Sequence, residues 1–317
     1  MASSEALLAL RLTGIAYGVP GINLYRLASP DGTPLPAFEP GAHIDLHIGQ
    51  GTVRQYSLLW PQPSAESYEI AVRETPEGRG GSRTWHRETV VGQIYPVSAP
   101  RNHFPLQEAG GAPIWLFAGG IGITPIFAMY RKLVAEKKPV TLHYWTRCEQ
   151  ATLFRDELRT APGGTVHCHH TERVAPRLAD ILADVPPDAM LYCCGPARMI
   201  DAFDTLTQHR PPERVHRERF SAANPKAGPK DSFTIRLART GRSFEIGPDE
   251  TILSVCLEAG LDLSYSCEEG VCGACEVKVL SGQVDHRDQV LSPAARTASA
   301  TMMVCCSRGI TDLELDL

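Results

Sequence analysis

Hydrophobic positions fall into three successive rhythms along this chain. From residue 1 to 107 the apolar runs are short and alternate with polar positions, as in "GAHIDLHIG", "VRQYSLLW", "YEIAVRET" and "GQIYPVSAP", with Gly and Pro turns between them. Period-two alternation of this kind predicts short strands in a sheet or small barrel. Over 108–222 the rhythm changes, and "APIWLFAGGIGITPIFAMYRKLVAEKKPVTLHYWT" runs apolar strand, Gly-rich turn, helix and second apolar strand. That order predicts a βαβ unit on a parallel sheet. It continues through a helix in "ATLFRDELRT" and a strand, turn and helix in "AMLYCCGPARMIDAFDTLTQH", and closes near "VHRERF". Next, "SAANPKAGPK" (221–230) has no apolar periodicity and reads as an interdomain linker, drawn at 223–230. The remainder, 231–317, opens with alternating "SFTIRLART" and "RSFEI", holds one helix candidate in "DETILSVCLEAG" and ends in "TDLELDL". It predicts a small α+β module.

Composition narrows the function classes. A chain of 317 residues, 43% apolar and 21% charged, is long enough for several cores. A net charge of −5 gives no ground for nucleic acid or an anionic membrane as partner, which leaves small molecules and proteins. The charge is uneven: residues 228–317 carry 14 acidic against 8 basic side chains, and the rest 22 against 23. An acidic skin on a small module suits docking to a basic partner face, and its plainer role is a solvated surface. The opening "MASSEALLALRLTG" has no basic n-region, and no stretch reaches the roughly 18 apolar residues that span a bilayer. A cytoplasmic home is expected. Ten cysteines in a reducing compartment then read as metal ligands or buried thiols rather than disulfides.

Three of them crowd into "SYSCEEGVCGACEVKVLSG". Cys267, Cys272 and Cys275 stand in a Cys-x4-Cys-x2-Cys spacing, and a fourth ligand position follows at Cys305 or its neighbour Cys306. A 2Fe-2S centre needs four thiolates around two bridged irons, and this is the plant-type ferredoxin spacing. Gly270 and Gly273 lie between the ligands, where a Cβ would crowd the loop or turn backbone amides away from sulfur. Zinc is the rival, but structural zinc favours paired Cys-x2-Cys or Cys/His sets and one pair is present. For Cys148, Cys168, Cys193, Cys256 and Cys306 the plain role is a small buried apolar side chain.

Two Gly-rich turns follow apolar strands. "GGIGITP" (119–125) lets backbone approach a pyrophosphate at a helix N-terminus, although Thr124 and Pro125 stand where a dinucleotide motif has its third glycine. "YCCGP" (192–196) adds a second turn, and two such turns at one edge of a parallel sheet make a crevice. In the strand-rich region, "RQYSL" (54–58) and "GRGGS" (78–82) can offer Arg54 and the Gly80, Gly81, Ser82 turn to a phosphate. Their plainer roles are an exposed strand charge and a hairpin turn. No catalytic triad or carboxylate pair stands out, and His86, His103, His169 and His170 read as structural or surface residues.

Taken in order, Arg-x-Tyr-Ser, Gly-Gly-Ile-Gly-Ile-Thr-Pro, Cys-Gly-Pro and the C-terminal cysteine module resemble the phthalate dioxygenase reductase family, which includes the vanillate O-demethylase reductases. The resemblance spans nearly the whole chain. It implies an FMN-binding β-barrel, an NAD-binding α/β domain and a ferredoxin domain of β-grasp fold. It implies that Arg54, Tyr56, Ser57, Gly80, Gly81 and Ser82 hold FMN, and that Gly120, Gly122, Thr124, Cys194, Gly195 and Pro196 seat the nicotinamide nucleotide. Phe220 occupies the place of an aromatic residue against the flavin, and its plainer role is a domain-closing aromatic. "CCSRG" resembles the Cys-x-Ser-Arg ending of these modules, which favours Cys305 as fourth ligand. The activity implied is transfer of electrons from NADH through FMN to a 2Fe-2S cluster and on to a terminal Rieske oxygenase, by a monomer. One departure bears on nucleotide choice. Family members place an acidic residue after the strand "VHCHH", where this chain has Thr171 and then Glu172, and Arg147 could meet a 2′-phosphate. A reductase using FAD or NADPH for a demethylase or monooxygenase, and a pure 2Fe-2S electron carrier, are the alternatives. A zinc-stabilised binding module would be colourless.

Overall fold

The computed structural model describes residues 7–49, 52–61, 66–75, 80–160, 163–220, 231–265, 267–291 and 293–317. The expected linker, and residues 78–79 of "GRGGS", lie outside the described residues. The chain divides into two compact units, Met1–Phe220 and Ser221–Leu317.

The first unit begins with β1 (Leu8–Val19), β2 (Ile22–Ala28), β3 (His43–Gly49), β4 (Thr52–Ser57), β5 (Ser67–Arg73), α1 (Gly81–Glu88) and β6 (Ile94–Val97). The strands pair antiparallel in the order β4-β3-β6-β1-β2-β5. A further antiparallel bridge joins Leu58, just past β4, to Ile70 of β5, and so draws the two outer strands together into a barrel. Alternation along each strand sends Leu10, Leu12, Ile44, Leu46 and Val72 inward, and α1 adds the fully buried indole of Trp85 against Tyr25 and Tyr95.

A parallel sheet follows: β7 (Ile114–Gly119), α2 (Ile123–Ala135), β8 (Val140–Thr146), α3 (Arg155–Thr160), β9 (Thr165–His170), α4 (Leu178–Ala183), β10 (Met190–Cys194), α5 (Ala197–Thr207) and β11 (Val215–Glu218). Its order is β11-β10-β7-β8-β9, all parallel, so the strand order reverses between β7 and β10. That is where a doubly wound sheet opens its crevice. β7 and β10 are buried on both faces, which explains their continuous apolar runs. One apolar core joins barrel to sheet, with Val19, Leu59, Ala71 and Phe104 packed among Phe127, Tyr130 and Tyr192.

The second unit comprises β12 (Phe233–Leu237), β13 (Ser243–Ile246), α6 (Ile252–Glu258), β14 (Glu276–Ser281), β15 (Val284–Asp285), α7 (Pro293–Ala298), β16 (Thr301–Met303), β17 (Arg308–Gly309) and β18 (Leu313–Leu315). The sheet runs β13-β12-β18-β14-β16, with the first and last main strands, β12 and β18, parallel neighbours. Helix α6 lays Ile252, Leu253 and Cys256 on it, and Thr251 caps the helix by accepting from the Ser254 amide at 3.0 Å. A helix grasped by a mixed sheet is the β-grasp arrangement.

Candidate cofactor and electron-transfer sites

The ligand loop occupies the stretch between α6 and β14. Gly270 and Gly273 take left-handed backbone conformations, φ 70° and 75°. These two residues bend the chain back on itself so that its amides face sulfur. Cys267 Sγ accepts from the amides of Glu269 at 3.3 Å and Val271 at 3.5 Å. Cys272 Sγ accepts from the amides of Cys267 and Ala274, both at 3.5 Å. Sulfur-directed amides stabilise thiolate charge, which is what a cluster ligand must carry. Cys305 comes from the turn after β16, where the Val304 amide donates to the Cys275 carbonyl at 3.2 Å and so sets that turn against the ligand loop. All four cysteines are thereby brought to the same part of the module. Hydrogen bonds from Cys272 and Cys305, then the amides of Glu269 and Val271, hold the Cys267 thiol far below its usual range. Cys272, Cys275 and Cys305 are buried, whereas Cys267 is half-buried. No three of the described Cys, His or carboxylate groups converge as they would on a single ion, and a two-iron cluster takes its four ligands as two pairs. The donor set and the amide cradle therefore fit a 2Fe-2S centre.

A second loop braces the first. The Gln289 amide donates to the Gly270 carbonyl at 2.8 Å, and buried Asp288 accepts from the amides of Val290 and Leu291.

In the barrel, Arg54 and Tyr56 leave β4 on the same face. The phenol of Tyr56 is pushed up by burial and partly relieved by Arg54. Ser57 is buried. Gly80, φ 86°, is the N-cap of helix α1, which has no side-chain cap among the described residues and no acidic residue in its first turn. A Cβ on Gly81 would lie 2.7 Å from Arg54 Nε, so the glycine leaves room for the guanidinium beside the bare helix start. Uncapped amides, a positive dipole end and a guanidinium make an anion cradle that fits a flavin phosphate. Ser82 Oγ accepts the Thr75 amide at 3.1 Å, which ties the turn to the end of β5.

The nucleotide crevice is built by close backbone contact. A Cβ on Gly122 would sit 2.3 Å from the Cys194 carbonyl oxygen, and one on Gly195 would meet Gly119 Cα at 3.2 Å. The turns "GGIGITP" and "CGP" therefore lie against each other at the switch point. Gly120, at φ 54°, faces open space instead, with Arg73 Nη1 of β5 nearest at 3.9 Å. The Tyr144 hydroxyl fixes that turn by donating to the Gly120 carbonyl at 3.2 Å. Thr124 is buried and donates to the Ile121 carbonyl at 3.0 Å, so its hydroxyl holds the turn rather than reaching out. Pro196 stands at the N-cap of α5, and Cys194 is fully buried with its thiol pushed up by desolvation.

One polar group in this crevice escaped the sequence. Glu218, the last residue of β11, lies opposite Cys194 in the ladder, and its Oε2 is buried with no hydrogen-bond partner among the described residues. Desolvation pushes its carboxyl up to about 8. Arg219, by contrast, reaches Asp201 at 2.8 Å and Asp204 at 2.9 Å, which clamps the strand end onto α5. Phe220 follows, 43% exposed and free to offer a ring face.

The segments after β8 and β9 are tied by the Glu172 amide donating to the Arg147 carbonyl at 3.0 Å, so the two residues are backbone neighbours beyond the strand ends. His86 bonds Val72 and Asn23, His103 lies tilted against His43, and His169 pairs with His143 at 3.0 Å.

Family comparisons agree with this layout. Residues 235–308 match the 2Fe-2S iron-sulfur cluster binding domain, and residues 116–205 the oxidoreductase NAD-binding domain. The phthalate dioxygenase reductase of Burkholderia cepacia is 39% identical over 299 residues, covering 92% of each chain. The chain belongs to the phthalate dioxygenase reductase family. Phenoxybenzoate dioxygenase subunit beta of Ectopseudomonas oleovorans is 41% identical over 319 residues, covering 100% of this chain and 99% of that one. Among solved structures, a phthalate dioxygenase reductase described as a modular structure for electron transfer from pyridine nucleotides to [2Fe-2S] superposes with a TM-score of 0.72 at 37% identity, covering 98% of each chain. Like these family members, the chain is an NADH-dependent electron-transfer oxidoreductase with a 2Fe-2S module.

Proposed function

We propose that this protein is the reductase component of a two-part oxygenase system, taking electrons from NADH through FMN to its 2Fe-2S cluster and on to a Rieske-type oxygenase acting on an aromatic compound. The observation that carries the reading is the joining of a switch-point crevice, an uncapped helix start beside Arg54 and a three-cysteine loop tied to the turn of Cys305 in one chain whose full-length relatives are dioxygenase reductases. The working division is a flavin barrel over 1–107, a nucleotide domain over 108–222, a linker over 223–230 and a ferredoxin module over 231–317.

Hydride from nicotinamide comes as an electron pair and iron accepts single electrons, so a bound flavin supplies the conversion between them. The residues position and insulate. Arg54 and the amides of Gly80, Gly81 and Ser82 hold the flavin phosphate, while Tyr56 and Ser57 line the same strand. Gly120 and the Cys194-Gly195-Pro196 turn let the dinucleotide backbone lie close to the sheet edge, and Thr124 keeps the first turn in shape. Phe220 offers its exposed ring to the flavin face. Cys267, Cys272, Cys275 and Cys305 bind the irons, and the amides on Cys267 and Cys272 favour added negative charge there. No side chain need transfer a proton. A monomer working in the cytoplasm suits these parts, and no helix among the described residues is long and apolar enough to cross a membrane.

An anaerobic visible spectrum before and after equimolar NADH, with released flavin identified by mass, tests the scheme. Flavin and iron–sulfur bands that both bleach support it. A cluster reducible by dithionite but silent to NADH supports the carrier reading instead.

A further inference from the structure

The loop that braces the ligand loop carries a buried acid. Asp288 lies between β15 and α7, and its side chain is fully shielded from solvent. One carboxylate oxygen is used locally: Oδ2 accepts from the amides of Val290 at 3.0 Å and Leu291 at 2.8 Å. The other is not. Oδ1 has no hydrogen-bond partner among the described residues and faces His286 Nδ1 at 3.6 Å, a ring nitrogen likewise unpartnered there. Arg296 donates to the Asp288 backbone carbonyl and keeps its nearest nitrogen 3.7 Å from Oδ2.

Hydrogen bonding alone does not require an acid at this position. The oxygen of an asparagine would accept from the same two amides, and its NH2 group would stand where Oδ1 now faces a ring nitrogen that accepts when unprotonated. Aspartate adds a negative charge placed where water screens it little. What lies against that charge is the ligand loop. A Cβ on Gly270 would be 3.0 Å from Asp288 Cα and 3.4 Å from its Cβ, and Gly270 stands between Cys267 and Cys272.

We propose that the buried charge of Asp288 lowers the reduction potential of the cluster. The inference rests on the reading of Cys267, Cys272, Cys275 and Cys305 as ligands of a 2Fe-2S centre. The reduced cluster carries one more negative charge than the oxidised one, so a fixed anion beside the loop disfavours the added electron, opposite in sense to the amides on Cys267 and Cys272. Arg296 offsets this in part, because it stands beyond hydrogen-bond reach of the carboxylate and its side chain is 37% exposed. A lower potential makes the reduced cluster a stronger donor to its acceptor.

The test compares full-length wild type, Asp288→Asn, Asp288→Ser and Asp262→Asn by iron and acid-labile sulfide content, by the g-values of the reduced cluster in electron paramagnetic resonance, and by a potentiometric titration read from that signal. Asp288→Asn should keep its iron and g-values and titrate at a higher potential than wild type. Asp288→Ser, whose hydroxyl can still accept from a nearby amide, should shift the same way. Asp262→Asn removes an equal charge from an exposed position of the same module and should titrate with wild type. A loaded Asp288→Asn at or below the wild-type potential overturns the proposal, and so does an Asp262→Asn shifted equally far, which would make the effect one of net charge. If the asparagine variant loses its iron or changes its g-values, Asp288→Ser decides: a loaded cluster at raised potential supports the charge, whereas an unshifted potential or a second loss of iron overturns it. Wild type without iron and sulfide removes the cluster reading itself, and the proposal with it.

Discussion

Replacing Glu218 by Gln asks whether the nucleotide crevice keeps an uncharged carboxyl group. The carboxyl has an ordinary value of 4.5, and desolvation beside Cys194 pushes it up to about 8. Between those values the folded protein holds a proton that the unfolded chain has released. Stability is therefore fully present below the unfolded value and falls as pH rises through the folded one. At 1.36 kcal/mol for each tenfold change in proton affinity, the loss across that window has a ceiling of roughly 5 kcal/mol. Glu218 keeps some exposed surface while its Oε2 is buried, so the ionised form recovers part of its hydration and the realised loss is smaller. Half the ceiling, about 2.5 kcal/mol, lowers the melting temperature of a unit this size by roughly 5–10 °C. Glutamine keeps the shape and removes the titration. Melting curves of both proteins from about pH 5 to about pH 8.5 should diverge, with wild type losing ground to Glu218→Gln as pH rises. Parallel profiles across the range would refute the neutral carboxyl.

Three further outcomes follow from the geometry. Gly270→Ala places a methyl group 2.4 Å from Cys306 Sγ and 3.0 Å from Asp288 Cα at φ 70°; left-handed strain and overpacking together cost about 2–5 kcal/mol, visible as iron content per chain below wild type, and a full iron load would contradict it. Arg54→Ala removes the guanidinium at the start of α1 and should weaken flavin binding by roughly 1.5–3 kcal/mol, about 10- to 150-fold in Kd by fluorescence titration, whereas unchanged affinity would take Arg54 out of the site. Gly122→Ala drives a Cβ to 2.3 Å from the Cys194 carbonyl and should slow flavin reduction by NADH while leaving dithionite reduction of the cluster unaltered, and an unchanged stopped-flow rate would deny that the two turns share a site.

Whether a feature was legible in the sequence depended on how far apart its parts lie along the chain. The strand rhythm of "GAHIDLHIG" and "YEIAVRET" and the βαβ order around "GGIGITP" are local, and each appears where its pattern places it; the spacing of Cys267, Cys272 and Cys275 is local too. Arg54 and Gly81 could be named separately, but their contact depends on α1 returning to β4 across the barrel. Glu218 looked like one charge among several in "VHRERF", because only the pairing of β11 with β10 buries it against Cys194 while Arg219 is salt-bridged on α5. The preference for Cys305 over Cys306 rested on the resemblance of "CCSRG" to the family ending, and the turn at 304–306 that carries both residues is not revealed by spacing. The shared core of barrel and parallel sheet was equally hidden, since Phe104 and Tyr192 meet only after both sheets form.

The sites also explain why glycines and cysteines, rather than charged catalytic residues, carried the functional signal. A hydride or electron transfer needs partners held at fixed positions and shielded from water, and the fold supplies this largely through backbone: bare amides at the start of α1, amides turned onto Cys267 and Cys272, and two turns pressed together at Gly122 and Gly195. Backbone groups tolerate most side-chain changes around them but not an added Cβ in their path. Sensitivity should therefore concentrate at Gly81, Gly122, Gly195 and Gly270, where a methyl group would fall within 3.0 Å of a neighbouring atom. It should be slight at Gly21, Gly32 and Gly110, where the same methyl group meets nothing within 4 Å and only the left-handed backbone, about 1–2 kcal/mol, resists it. A glycine-to-alanine scan read by cofactor content, rather than by melting alone, separates these two groups. Equal cofactor loss in both would mean that backbone conformation, not close approach, is what the glycines protect.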